Sequence, residues 1–244
     1  MLTLLFAAVS LLYATVGQAG GTAFLALMAF ASFAPNEMRP TALLLNIVAA
    51  TYSTWLFNRG SLVDWVKLKP LLIASLPTAL IGGVIVLDER VYNAVTGAVL
   101  LTAALILAFR RPKAGGPDET PPPLWGATAL GAVVGLVSGL TGVGGGVFLA
   151  PVVIGLRWAS PKQTAALSAP FILANSAVGF IGAIYAGQAP SGDTWIYAIG
   201  ALAGAMIGAT VGLRWFSQTA TRYALAAILG AAAVQLLFFA IRQG

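Results

Sequence analysis

The chain has no cysteine and no histidine among its 244 residues, and only 8% of them are charged. Each shortage removes a class of function. Without cysteine there is no disulfide framework and no thiolate nucleophile or metal ligand. Without histidine the Ser-His and Cys-His nucleophile pairs are excluded, as is the H-E-x-x-H metalloprotease arrangement. Soluble domains carry about 25% charged residues, so much of this surface does not meet water. The other side of that shortage is a 59% hydrophobic content and a mean hydropathy of +0.91. One water-facing core cannot hide so much apolar surface, and lipid must cover the remainder. The net charge of +6 does not point to nucleic acid, because the 13 Lys and Arg stand in short clusters between apolar runs. That distribution is how membrane topology is signalled.

A spanning helix needs about 20 mostly apolar residues. Six segments qualify: Pro40–Phe57, Pro70–Leu87, Val91–Phe109, Thr164–Tyr185, Trp195–Leu213 and Tyr223–Ile241. Two others, Leu2–Phe33 and Leu124–Leu156, are too long for a simple span, and glycines interrupt both. The six tryptophans, Trp55, Trp65, Trp125, Trp158, Trp195 and Trp215, fall near segment ends, where interfacial belts are expected. The stretch Arg110–Pro123, RRPKAGGPDETPPP, reads as a polar linker that divides the chain almost evenly. Leu2–Val16 followed by Gly17-Gln18-Ala19 imitates a signal peptide with a small-residue cleavage site. No basic residue precedes it, however, and the same pattern recurs in mid-chain, so a structural element is expected there.

That recurrence is the main organising feature. Gly17-x-x-Gly20-Gly21 is repeated as Gly142-x-x-Gly145-Gly146, 125 residues later. Leu45-Asn46 resembles Ala174-Asn175, and Ile81-Gly82 resembles Ile207-Gly208. Each half therefore reads as a broken segment followed by three helices. If every broken segment crossed the membrane once, basic residues would be divided evenly between the two sides. If each enters and returns, the halves become inverted. One side then holds Arg59, Lys67, Lys69, Arg110, Arg111, Lys113, Arg157, Lys162, Arg214 and Arg222, against Arg39, Arg90 and Arg242 on the other. The positive-inside rule favours the second arrangement. Its first two arms, Leu2–Val16 and Thr22–Phe33, would be only about 22 and 18 Å long as helices. The expected fold is an all-α polytopic membrane protein of two inverted repeats, each a glycine-broken pair of short helices followed by three transmembrane helices. The repeats occupy residues 1–109 and 124–244. Both termini are expected outside, and the linker 110–123 in the cytoplasm.

A glycine-rich break at membrane depth exposes backbone N–H groups that lipid cannot satisfy. Inverted halves would bring both breaks to the midplane with helix N-termini facing one site, and helix N-termini favour anions. The expected substrate-contacting positions are Gly20, Gly21, Gly144, Gly145 and Gly146, with Gln18, Thr22 and Thr141 as side-chain donors nearby. Asn46 and Asn175, each inside an apolar helix, either add amide donors or simply bridge helices. No Asp, Glu, Lys or Arg falls inside a predicted hydrocarbon segment, so the carboxylate expected of a cation carrier is missing. Neutral dipoles suit a small anion held without being trapped. With a negative interior, its export would gain roughly 2.3 kcal/mol per charge per 100 mV. Gly131, Gly135 and Gly139, and Gly200, Gly204, Gly208 and Gly212, recur every fourth residue and read as packing seams. Thr164, Ser168 and Ser176 are expected to cap or bond back to their own helix, and Asp64 and Asp193 to start helices or turns.

Gly142-Val143-Gly144-Gly145-Gly146-Val147-Phe148-Leu149-Ala150-Pro151 resembles the glycine-rich, proline-terminated signature of the TauE/SafE family of sulfite exporters. The two-halved layout, the polar linker and the element Ile172–Ala177 extend that resemblance along essentially the whole chain. The first half departs from it, with Gln18-Ala19 where glycine is usual and Ala26 at the position matching Pro151. The resemblance implies export of sulfite or a small organosulfonate across a bacterial inner membrane. An anion channel or a structural membrane subunit is the alternative; a membrane enzyme would lack a catalytic group at depth. The expected partners are a small anion and the bilayer, with a homodimer left open; no cofactor, metal or nucleic acid is expected.

Overall fold

The computed structural model describes residues 1–109, 120, 122–212 and 218–242. The expected linker 110–123 lies outside the described residues except at 120, 122 and 123, as do Leu213, Arg214 and Trp215. Among the described residues there are ten helices and no strand: α1 (Leu2–Ala14), α2 (Gly21–Phe30), α3 (Pro35–Arg59), α4 (Trp65–Val84), α5 (Glu89–Phe109), α6 (Leu124–Thr141), α7 (Gly146–Gly155), α8 (Pro161–Tyr185), α9 (Thr194–Gly212) and α10 (Gln218–Arg242). Helices α3, α4, α6, α8 and α9 are long and apolar enough to cross a membrane, whereas α1, α2 and α7 are short apolar helices.

Local chemistry explains the starts. Asp64 caps α4 by accepting from the N–H groups of Val66 at 3.0 Å and Lys67 at 3.1 Å. Ser160 and Gln163 form a reciprocal capping box at the start of α8. Pro35 opens α3 in the first turn, where its missing N–H costs nothing. The sequence reading started helices at Pro40 and Pro70, but both prolines lie inside helices that began five residues earlier. Extending α3 back to Pro35 draws Arg39 into a membrane-length helix, where it is 1% exposed. Glu37, Arg59, Lys67, Lys69 and Lys162 also fall within the membrane-length helices, near their ends and not buried, so the expectation that no charge lies within a spanning segment fails at depth only for Arg39.

Packing between the halves is reciprocal. The first helix of each half lies along the fourth helix of the other. A Cβ on Gly200, Gly204 or Gly208 of α9 would overlap the carbonyl oxygens of Thr3, Ala7 and Leu11 of α1 in turn. A Cβ on Gly131, Gly135 or Gly139 of α6 would overlap those of Leu71, Ser75 and Ala79 of α4. Both pairs advance together, so each runs parallel, and the four-residue glycine spacing is indeed a seam for close backbone approach. Helices α3 and α8 run antiparallel: Leu43 meets Gly179, while Phe57 clusters with Ala166 and Ala169. Helices α5 and α10 are also antiparallel, with Gly97 against Leu237 and Gly230 against Ala104.

Both broken segments double back. The ring of Trp158, just past α7, lies 3.4 Å from where a Cβ of Gly126 would stand near the start of α6. The Thr120 N–H also donates to the Arg157 carbonyl at 3.0 Å. In the first half the Tyr197 ring sits 5.0 Å from Phe6 in α1 and 6.2 Å from Phe33 past α2. Trp158 thus departs from the interfacial role expected of it. It is 8% exposed because it plugs the base of a hairpin, whereas Trp55, Trp65, Trp125 and Trp195 are exposed. Large apolar side chains such as Ile73, Val133, Ile181, Ile199 and Val234 also stand exposed on the flanks, a surface suited to lipid rather than water.

Candidate functional site

The two breaks are built from left-handed glycines. In the first, Gly17 and Gly20 have φ of 75° and 111°; in the second, Gly142, Gly144 and Gly145 have 87°, 82° and 81°. Side chains with a Cβ adopt such angles at a cost of about 1–2 kcal/mol. Gly20 and Gly145 are the N-caps of α2 and α7, and neither helix start carries a side-chain cap. The uncapped first-turn N–H groups are therefore available to another acceptor. Ala19 holds the position matching Gly144 and has no positive φ, so the first break follows a different backbone path.

The breaks meet each other. A Cβ on Gly21 would overlap the Val143 carbonyl oxygen and lie 2.5 Å from Asn46 Nδ2. A Cβ on Gly144 would lie 2.8 Å from the same Nδ2 and 3.2 Å from Ser176 Oγ. Asn46 Nδ2 donates to the Gly142 carbonyl at 3.1 Å, which ties α3 to the second break and leaves its other N–H beside Gly21 and Gly144. On the far side, a Cβ on Gly146 would lie 3.9 Å from Gln18 Cγ; Gln18 is half-buried. Gln18, Gly21, Asn46, Gly144 and Gly146 are thus gathered in one place, with Gly20 and Gly145 as the caps behind them. Asn46 stands near the midpoint of the 25-residue α3, so the breaks meet about half-way along that helix.

Three expected residues point elsewhere. The Thr22 hydroxyl shares a 2.7 Å hydrogen bond with the Tyr13 hydroxyl, clamping α1 to α2 across the first break. The Thr141 hydroxyl donates to Val137 O at 2.7 Å within its own helix. Asn175 Nδ2 donates to Phe171 O at 2.9 Å, also within its own helix.

The register between halves differs from the one read in sequence. Helices α3 and α8 both contain 25 residues and begin 126 positions apart, and the residues of these helices that the breaks touch agree with that offset. Gly142 packs on the Arg39 backbone as Gly17 packs on Ala165, and Gly21 meets Asn46 as Gly146 meets Ile172. Ile172, not Asn175, is therefore the counterpart of Asn46. One half brings an amide to the break and the other a branched alkyl group. The asparagine match was a coincidence of type, one helical turn out of register.

Backbone dipoles of both signs stand at the breaks. The carbonyls that would repel an anion at the end of α6 are taken up by donors: Tyr92 Oη donates to Thr141 O at 3.1 Å, and Asn46 to Gly142 O. The N-termini of α2 and α7, each worth about half a positive charge, are not opposed in this way. Several buried polar atoms have no partner: Asn46 Oδ1, Asn175 Oδ1, and the hydroxyls of Ser138, Thr164, Ser168 and Ser176. The last three were expected to bond back to α8 and do not. Arg39 and Tyr92 escaped the sequence reading; Pro35-Asn36-Glu37, a helix-start pattern, was the signal that could have placed Arg39 inside α3.

Comparison with known proteins places the chain in a family. Residues 2–236 match the family model described as sulfite exporter TauE/SafE. The chain is 38% identical over 241 residues to a probable membrane transporter protein, y4hK, of Sinorhizobium fredii (strain NBRC 101917 / NGR234), with 97% of each chain covered. No solved structure matches. With the family matched along nearly its whole length, the chain belongs to the TauE/SafE sulfite exporter family and is a multi-pass membrane transporter of a small substrate, not an enzyme.

Proposed function

We propose that this transporter exports a small anion, sulfite or a small organosulfonate, and that the anion is held where the two glycine breaks meet. The observation that carries this reading is the convergence of two uncapped helix N-termini on one amide, Asn46, with the neighbouring α6 carbonyls already occupied. Gly20, Gly21, Gly144, Gly145 and Gly146 offer backbone donors there; Gln18 and Asn46 offer amides. Thr22 and Thr141 hold the breaks in shape. Asn175 contributes from one turn away. Hydrogen bonds from neutral dipoles bind an anion without the deep trap that a buried ion pair would make.

The same reading makes the halves inverted repeats. It is supported by the antiparallel course of α3 against α8 and by hairpins that return to their starting sides. With the basic residues placed inside, the termini face the periplasm of a bacterial inner membrane and the linker faces the cytoplasm. Export then runs down the membrane potential.

Purified protein in liposomes, tested against a panel of anions with the potential imposed in either direction, decides the function. Saturable sulfite or sulfonate flux that accelerates when the anion-containing side is negative is expected. Non-saturable conductance would make the protein a channel, and no flux of any anion would make it a structural subunit.

A further inference from the structure

Arg39 is the feature that the glycine site does not absorb. Its side chain is 1% exposed. Three of its hydrogen bonds go to neutral acceptors: Nε donates to Gln188 Oε1 at 2.7 Å, and Nη1 to Gly82 O at 3.2 Å and Ile85 O at 2.7 Å. Nη2 has no partner, and among the described residues no carboxylate bonds this guanidinium. Burying an unpaired cation is costly, and a charged donor left unsatisfied adds to that cost. The carbonyls of Gly82 and Ile85 belong to the C-terminal end of α4, whose partial negative charge of about one half offsets part of it. A positive remainder is left, delocalised over the guanidinium, with Nη2 as its one unpartnered donor.

The position of that nitrogen gives it meaning. The Arg39 backbone packs on the second break, since a Cβ on Gly142 would lie 2.9 Å from the Arg39 carbonyl oxygen. Arg39 precedes Asn46 by seven residues on α3, about 10 Å along the axis. It lies toward the end of α3 where Gln188, between α8 and α9, and Ile85, just past α4, also gather.

We propose that Arg39 forms a second anion subsite, in line with the glycine site and on the Gln188 side of it, which takes an oxyanion on the single nitrogen Nη2. This rests on the anion-transport reading above. Arginine usually grips carboxylates or oxyanions through a two-nitrogen fork. Here Nε and Nη1 are already committed, so the fork is blocked and only a one-nitrogen contact remains. Such a contact attracts the anion and orients one oxygen, yet releases it easily, as a waypoint must. The other half has Ala165 at the matching position, so the waypoint exists on one side only, and the path is polarised although the halves correspond.

The test compares wild type, Arg39→Gln and Arg39→Lys in two assays: sulfite flux in liposomes, and thermal stabilisation of detergent-purified protein by sulfite. Glutamine can still donate to the α4 carbonyls but carries no charge; lysine keeps the charge. The expected result is a KM for sulfite raised at least tenfold in Arg39→Gln, with sulfite stabilisation largely lost and partial recovery of both in Arg39→Lys. If Arg39 only caps α4, both variants melt earlier while KM and the sulfite-induced shift stay at wild-type values, and the subsite is overturned. If wild type carries no flux but sulfite stabilises it and Arg39→Gln abolishes that shift, the subsite stands and the transport reading fails. If sulfite neither crosses nor stabilises wild type, both are overturned for this anion.

Discussion

Gly21→Ala isolates the meeting of the two breaks. Gly21 is the first residue of α2 and has no positive φ, so alanine meets no backbone strain there and gains about 1 kcal/mol of helix propensity. Everything unfavourable comes from across the interface. The new Cβ would lie 2.5 Å from Asn46 Nδ2 and overlap the Val143 carbonyl oxygen. Non-bonded atoms rest about 3.5 Å apart, so the breaks must separate by roughly 1 Å. Overpacking of that kind costs about 1–3 kcal/mol, and the propensity gain leaves a net loss of stability of at most about 2 kcal/mol. Transport should suffer more than stability, because the N-termini of α2 and α7 and the Asn46 amide would no longer converge at hydrogen-bonding distance. Sulfite flux in liposomes should fall at least tenfold, equivalent to about 1.4 kcal/mol, while the protein still folds and reconstitutes. Gly60→Ala is the control, since its nearest new contact is an ordinary 3.5 Å. Wild-type flux in Gly21→Ala, with a normal melting profile, would refute the idea that this contact shapes the site.

Other outcomes follow from the same geometry. Asn46→Ala frees the Gly142 carbonyl and removes an amide from the site, so flux should drop at least tenfold, whereas Asn175→Ala should lower it less because that amide bonds its own helix; equal losses would argue for a symmetric site. Gln18→Ala should raise the KM for sulfite without changing the melting profile, and an unchanged KM would remove Gln18 from the site. The chain lacks cysteine, so single-cysteine variants report topology directly. Gly192→Cys should react with an impermeant maleimide from outside, and Ser61→Cys only after permeabilisation; Leu124→Cys and Leu156→Cys should label from one common side, and opposite sides would mean that α6 and α7 together cross. Asp64→Ala should cost about 1 kcal/mol through the lost cap of α4, with flux unaltered, as judged by thermal unfolding beside the liposome assay.

Membrane residence, the two halves and the glycine breaks were legible in the sequence, because each is a one-dimensional signal. Apolar runs of spanning length, a motif repeated 125 residues later and clustered glycines in a hydrophobic stretch all follow from chain composition and spacing. At Gly131, Gly135, Gly139, Gly200, Gly204 and Gly208 the four-residue glycine series also read correctly as seams, since spacing alone places those residues on one helix face. The helix starts at Pro35 and Trp65 were missed because proline was taken as a boundary; in both helices it sits inside, after capping or first-turn chemistry has already begun the helix. Tertiary packing decided the rest. The contacts of Gly21 with Val143 and of Gly146 with Gln18 bring the breaks together, and the register of α3 against α8 pairs Asn46 with Ile172 rather than Asn175. Arg39 shows the limit most clearly. By sequence it was a loop cation; α4, Gln188 and the second break, all distant along the chain, enclose it and turn it into a buried charge with one free nitrogen. Composition and periodicity fix which surfaces avoid water, but the surroundings of a polar group at depth depend on which distant segments close around it, and no local pattern encodes that.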